Sequence, residues 1–334
     1  NPLYTNRLFC FILFCFMKLH EPKKKMIATL LVVIVAGVFG PSGHHAAAAG
    51  GNETVSFEQN YSVAWGNDHA SISDQGREVQ LSMDGSSGSG FASKLSYGSG
   101  FFHLRIKLPG SDSAGVVTAL YLSSGSGRHD ELDMEFLGNR ADRPYTLQTN
   151  VFCDGVGGRE QRVALWFDPT ADFHSYRFLW NAHQIVYVYV LTLSFHHHSQ
   201  IDHIGWARFY VDDAAVRVYP RRGGACYPSR AMAIEASLWD GDSWATDGGR
   251  TKIDWSYAPF RASFRGFGVD GCPESDHQRC RRTGSPAYWW NTKQYWRLGA
   301  TQRVAYEEVR RKYVTYDYCA DRSRYPALPP ECPS

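Results

Sequence analysis

The segment His129-Asp130-Glu131-Leu132-Asp133-Met134-Glu135-Phe136-Leu137-Gly138 alternates with a period of two. On a β-strand successive side chains point to opposite faces. Glu131, Asp133 and Glu135 therefore share one face, and Leu132, Met134 and Phe136 share the other. The apolar face requires a core. The acidic face sets three carboxyls side by side, and they cannot all ionise without strong mutual repulsion, so at least one must keep its proton to higher pH. A sheet with one dry face and one open, acidic face follows directly. Glycosidic cleavage needs such a pair: one carboxylate as nucleophile and one carboxylic acid to protonate the leaving oxygen. A retaining mechanism wants those carboxyls about 5–5.5 Å apart, whereas residues i and i+4 on a flat strand lie about 13 Å apart. The strand is expected to curve, or its side chains to lean together, as on a concave sheet. A solvated strand face or a carboxylate-lined calcium site are the alternatives; the clean apolar opposite face favours catalysis.

Short β-rich runs recur between Gly, Ser, Asp and Asn turns. Examples are Val79–Met83, Phe101–Leu108, Val116–Leu122, Leu132–Phe136, Thr146–Phe152, Val163–Phe167, Ser175–Trp180 and Met232–Leu238. Regular strands with almost no helical periodicity predict an all-β sandwich or jelly roll. One helix is expected at Thr301–Lys312, within an extension that begins near Arg261 and carries four late cysteines. Lys+Arg 35 against Asp+Glu 33 leaves a net charge of +2, too balanced for a protein that neutralises many phosphates, so no nucleic-acid partner is expected.

The apolar run Ile27–Gly40 follows Lys23, Lys24 and Lys25 and precedes the small residues Ala46–Ala49, the layout of a secretory signal. Residues 1–49 are read as that signal plus untranslated sequence before Met17 or Met26, with the mature chain starting near Gly50 and no membrane anchor after cleavage. Six cysteines remain. Cys272 with Cys280 and Cys319 with Cys332 form two local pairs by spacing; Cys153 and Cys226 are left open, paired or free. Asn52-Glu53-Thr54 and Asn60-Tyr61-Ser62 are glycosylation sequons.

Between Ile185 and Val211 a strand begins, is interrupted over roughly Tyr189–Arg208, and resumes at Phe209-Tyr210-Val211. The interruption reads as a surface loop or an intron translated in frame. If translated, it is expected to break a core strand. His196, His197, His198, Asp202 and His203 fall inside it. Adjacent histidines on a strand point to opposite faces, so no metal role is expected.

HDELDMEFLG resembles the active-site signature of glycoside hydrolase family 16, in its plant branch, the xyloglucan endotransglucosylase/hydrolases. So do SAGVVTALYLSS (Ser113–Ser124), PYTLQTNVF (Pro144–Phe152), GGREQRVALWFDPTADFHSYRFLWN (Gly157–Asn181), SLWDGDSWATDGGRTKIDWSYAPF (Ser237–Phe260) and YDYCADRSRYPALPPEC (Tyr316–Cys332). The resemblance covers nearly everything after Ser56 except the interruption. It implies a concanavalin A-like β-jelly-roll over residues 50–260 and a C-terminal extension over 261–334. It implies Glu131 as nucleophile, Glu135 as acid/base and Asp133 as the helper between them. Gln148, Thr149, Asn150, Gly158, Arg159, Glu160, Ser243, Trp244, Gly248 and Arg324 match glucan-binding positions. Trp166, Trp180 and Trp255 are read as core, Trp244 as facing ligand, and Trp289 and Trp290 as either. Ser243 stands where the family often has Asp. Asn139-Arg140-Ala141 lacks the hydroxyl residue of a sequon often found there.

The implied activity is cleavage of xyloglucan and transfer to another xyloglucan or oligosaccharide end, by a secreted, cell-wall monomer that needs no cofactor or metal. A mixed-linkage glucan hydrolase is one alternative, opposed by the C-terminal extension. A non-catalytic, lectin-like wall protein is the other, and it has no need of both Glu131 and Glu135.

Overall fold

The computed structural model describes residues 54–125, 127–190, 213–276, 280 and 288–333. The leader, the Asn52 sequon and residues 191–208 of the interruption, with His196, His197, His198, Asp202 and His203, lie outside the described residues.

A four-residue helix, α1 (Phe57–Asn60), leads into strands β1 (Tyr61–Trp65), β2 (Ala70–Ser73), β3 (Glu78–Met83), β4 (Ser89–Lys107), β5 (Val116–Ser123), β6 (Glu131–Leu137), β7 (Thr146–Phe152) and β8 (Gln161–Ala164). There follow β9 (His174–Trp180), β10 (Gln184–Val190), β11 (Asp213–Pro220), β12 (Met232–Asp240), β13 (Phe260–Arg265), β14 (Asp270–Pro273), α2 (Ala300–Tyr313) and β15 (Val314–Asp317). All described pairings are antiparallel.

The long strand β4 makes the sandwich. Its first half pairs with β1 and β12, and its second half with β9 and β13. One layer is therefore β1-β4-β12-β5-β6-β7-β8-β15, and the other is β11-β10-β9-β4-β13-β3-β2. Contacts between strands far apart in the pairing order show that the two layers pack face to face. Phe136 of β6 meets Tyr176 of β9 at 4.5 Å between ring centroids, and the Tyr187 hydroxyl of β10 donates to the Asn150 carbonyl of β7 at 2.8 Å. The crossing from one layer to the next passes Gly100, where an added Cβ would lie 2.2 Å from the Phe102 ring. The first half of β4, SGFASKLSYGSG, reads in sequence as a turn, and for that reason the predicted strand covered only its second half.

The alternation behaves as expected: Leu132, Met134 and Phe136 are fully buried between the layers. So is Trp180, whereas Trp255 is 41% exposed, a correction to its reading as core. Trp255 sits in a short turn of 3-10 helix and reaches only the edge of Phe260. Trp290 is buried and Trp166 half-buried, stacked on Tyr313 of α2.

The predicted C-terminal helix is α2. Gln302 reaches back to accept from the Gly299 N–H at 2.9 Å, and Arg310, Arg311 and Lys312 sit in the last turn, where the helix dipole favours cations. β15 then pairs with β8, so the extension adds a strand to the layer that carries the acids.

The strand expected to be broken is whole. β10 runs through Tyr189 and Val190, which pair with Tyr176 and Ser175 of β9 on one side and with Ala214 and Asp213 of β11 on the other. The sequence Tyr187-Val188-Tyr189-Val190 has its own strand period, and Phe209-Tyr210-Val211 lie outside the described residues. Among the described residues the strand therefore runs through the first two positions of the expected interruption, Tyr189 and Val190.

Three disulfides form: Cys272–Cys280, Cys319–Cys332 and Cys153–Cys226. The third settles the open question and ties the end of β7 to the loop after β11, across 73 residues. Chain entropy makes this long bridge worth about 4 kcal/mol and the eight-residue bridge about 2.5 kcal/mol. The C153S/C226S double variant should accordingly lose more in guanidinium midpoint than C272S/C280S at comparable slope. The reverse order would contradict the loop-length argument.

Candidate active site

Strand register assembles the site from rows of side chains. One row crosses β12, β5, β6 and β7 as Glu235, Tyr121, Asp133 and Asn150. The next, two residues along, is Ser237, Ala119, Glu135, Gln148 and then Arg162 on β8. Glu131 stands opposite Ser123 and Phe152. These rows floor an open cleft of about 380 Å³ lined by Glu131, Asp133, Glu135, Gln148, Asn150 and Trp244, with Tyr121, Phe152, Ser237 and Trp239.

The three acids differ in surroundings. Asp133 is 7% exposed and hydrogen-bonded to Glu131. Burial first, and then repulsion from Glu131 and Glu135, push its carboxyl well above the usual range. Glu135 is also raised, chiefly by burial; the Gln148 amide, donating to it at 2.8 Å, works in the opposite direction. Arg162 Nε donates to the Gln148 carbonyl oxygen at 2.8 Å and fixes which end of that amide faces Glu135. Asp133 and Glu135 thus both lean towards the protonated form relative to a carboxyl in water. A fourth carboxyl, Glu235, accepts from the Tyr121 hydroxyl at 2.9 Å and is raised by burial.

The start of β6 is pinned by Asp130, which is 2% exposed. Its carboxylate accepts from the backbone N–H groups of Asp154, Ser229 and Arg230 at 2.9, 2.7 and 2.9 Å. Gly138 ends the strand against Ser113, whose carbonyl oxygen would be 2.0 Å from any Cβ there.

Of the residues matched to glucan binding, Gln148, Asn150 and Trp244 line the cleft. Ser243 and Gly248 share the exposed loop that carries Trp244, and Gly248 has φ +67°. Thr149 is a correction: it is 1% exposed and points between the layers, because it lies between two cleft-facing neighbours on a strand. Arg159 is turned inward as well. Its Nε donates to Glu331 at 2.7 Å, and its backbone N–H donates to Asn150 Oδ1 at 3.0 Å, so it orients a cleft residue rather than lining the cleft. Glu160 and Arg324 form an ion pair at 2.7 Å, and Tyr325 donates to the Gly158 carbonyl. Asn60 spends its amide on the Phe267 carbonyl at 2.9 Å, a bond that a glycan at its sequon would displace.

Tyr121, Phe152, Ser237, Trp239, Glu235 and Arg162 were not singled out from sequence. Their signal was available, since each sits at even spacing on a strand next to β6 or beyond it. Using it requires the register, and the register is set by the fold.

The family model for glycosyl hydrolases family 16 matches residues 57–190 and 191–257, and that for the xyloglucan endo-transglycosylase (XET) C-terminus matches 284–332. Xyloglucan endotransglucosylase/hydrolase protein 2 of Arabidopsis thaliana is 51% identical over 86% of this chain and 91% of its own length. Protein 3 of the same plant is 48% identical over 92% and 96%. Among solved structures, the Bacillus licheniformis β-glucanase superposes with a TM-score of 0.47 at 21% identity, covering 64% of this chain and 93% of that one. The chain belongs to glycosyl hydrolases family 16, in the branch that ends in the xyloglucan endo-transglycosylase C-terminus.

Proposed function

We propose that the protein is a retaining xyloglucan endotransglucosylase in which Glu131 is the nucleophile, Glu135 the acid/base and Asp133 the group that holds a proton between them. The observation that carries this reading is one strand presenting three carboxyls, Glu131, Asp133 and Glu135, to one cleft, with burial pushing Asp133 and Glu135 towards the protonated form.

In the first step the Glu131 carboxylate attacks the anomeric carbon of a backbone glucose as the glycosidic C–O bond breaks. Glu135 gives its proton to the leaving oxygen. The products are a glycosyl ester on Glu131 and a shortened chain with a free hydroxyl. In the second step Glu135, now a carboxylate, removes the proton from the hydroxyl of an incoming chain end. That oxygen takes the anomeric carbon, and Glu131 leaves as a carboxylate. Asp133 donates its hydrogen bond to Glu131 and steadies it while it is charged.

Xyloglucan as donor and acceptor is supported by the names of the relatives and by the matched C-terminal extension. The leaving chain and the acceptor both occupy the Glu135 side. The Glu160–Arg324 pair flanks that side and is formed partly by the extension. A longer acceptor side favours sugar over water as the attacking group. Trp239 and Trp244 offer ring faces to the apolar faces of sugars. Three disulfides fit secretion into the oxidising wall space.

Incubation with xyloglucan and a fluorescent xyloglucan oligosaccharide should move label into polymer on gel filtration. New reducing ends without label transfer, under excess acceptor, would instead mark a hydrolase. E131Q should lower turnover at least about a thousand-fold, and E135Q about 10²–10⁴-fold. The two roles separate with a glycosyl fluoride donor, whose leaving group needs no proton. E135Q should then accumulate a covalent adduct visible by intact mass, and E131Q should not. Because the Gln148 amide stabilises ionised Glu135, Q148L should raise the carboxyl further. Transfer requires Glu135 protonated, so the descending limb of the pH–rate profile should move to higher pH, by about half a unit. A shift to lower pH would reverse the assignment.

A further inference from the structure

Arg217 on β11 is 1% exposed, and its guanidinium lies inside the sandwich. Nη1 donates to the carbonyl and the hydroxyl of Thr149 at 2.9 and 3.0 Å. The rings of Tyr187, Tyr219 and Tyr318 face it at 5.6, 5.8 and 5.8 Å. Among the described residues no carboxylate forms an ion pair with it, and Nε and Nη2 have no hydrogen-bond acceptor. A guanidinium does not give up its proton in a protein, so this is a permanent charge, and burying one without a counter-ion costs several kcal/mol.

Its position shows what opposes that charge. Thr149 stands opposite Met134 in the register of β6 and β7. Met134 lies between Asp133 and Glu135 and points inward while they point to the cleft. One sheet thickness therefore separates the cation from the acids, near the middle of the acidic row. On the reading above, the site carries one negative charge, on Glu131 before the first step and on Glu135 after it. That charge moves along β6 in every half-reaction but does not leave it.

We propose that Arg217 is a positioning residue of the reaction, a fixed positive charge behind β6 that stabilises the site's one negative charge at either end of the strand. The inference rests on the assignment of Glu131 and Glu135. A preorganised charge of this kind needs no rearrangement as the reaction proceeds. The C-terminal extension completes its enclosure. Tyr318 covers it and donates to Glu331 at 3.2 Å, and Glu331 holds Arg159, whose N–H fixes Asn150.

The groups facing the acids are Tyr121 on β5, Glu235 on β12, Arg162 on β8 through Gln148, Glu160 in the loop before β8, His129 at 3.8 Å from Glu131, and from behind Tyr187 and Arg217. Arg217 draws the Asp133 carboxyl down against burial and repulsion.

The test compares R217Q, which keeps an amide donor for Thr149 but no charge, with R217K, which keeps the charge. Both are assayed for label transfer across pH, with melting temperature measured in parallel. R217Q should lower maximal kcat/KM and move both limbs of the profile to higher pH, by about one unit. R217K should leave the limbs in place. A purely structural role predicts loss of height and melting temperature with unmoved limbs in R217Q, and that result would overturn the proposal. So would limbs displaced in R217K. Where R217Q does not fold, the same comparison is read from R217M, which keeps the apolar stem and carries no charge. The E135Q adduct keeps the two readings apart: adduct formation with unmoved limbs in R217Q sinks the role of Arg217 and leaves the carboxylate assignment standing.

Discussion

Taking carboxyl groups out of water is costly, and the sheet is organised around three that share one strand. Burial and mutual repulsion push Asp133 and Glu135 towards the protonated form, which lowers that cost. Glu131 is half-buried and takes a hydrogen bond from Asp133. That division depends on a rigid frame. Asp130 grips three backbone N–H groups at one end of β6, Gly138 lies against Ser113 at the other, and β5 and β7 pair along the full length. Side chains on the neighbouring strands then hold Glu135 by a short polar chain, Arg162–Gln148–Glu135.

The C-terminal extension takes part in this arrangement. β15 extends the acid-bearing layer, Glu331 pairs with Arg159, and Arg222 donates to the Cys332 carbonyl at 2.6 Å. The disulfide between Cys319 and Cys332 keeps Tyr318 and Glu331 on one short loop. Residues that touch the cleft floor from below are thus tied to residues that border it from the side. A change in the extension is transmitted to Asn150 through two bonds.

Much of the architecture was legible in residue order, because period-two alternation reports directly which face is dry. β7 and α2 were placed to within a residue, and the acidic row was read as one face. Three things were hidden for physical reasons. β4 was half missed because glycine and serine let it cross between layers, and those residues also mark turns. Thr149 was grouped with its neighbours because motif matching ignores that adjacent strand residues face opposite ways. Tyr121, Glu235 and Arg217 come to the acids only through register and layer packing, to which local sequence carries no pointer.

The hairpin of β10 and β11 has a consequence for how such genes can change. Its two strands close on the pair Val190 and Asp213, with 22 residues between them in the chain. Loop closure costs grow only logarithmically, about 0.6 kcal/mol per doubling. The strands are held by pairing with β9 and with each other, independently of what joins them. A splice error or duplication that lands at this turn therefore adds coding sequence at a closure cost of only about 2 kcal/mol for 22 residues over a two-residue turn, whereas the same addition within β6 would interrupt the strand that aligns the acids. The join between Val190 and Asp213 is thus a place where this chain can change length without moving the acids.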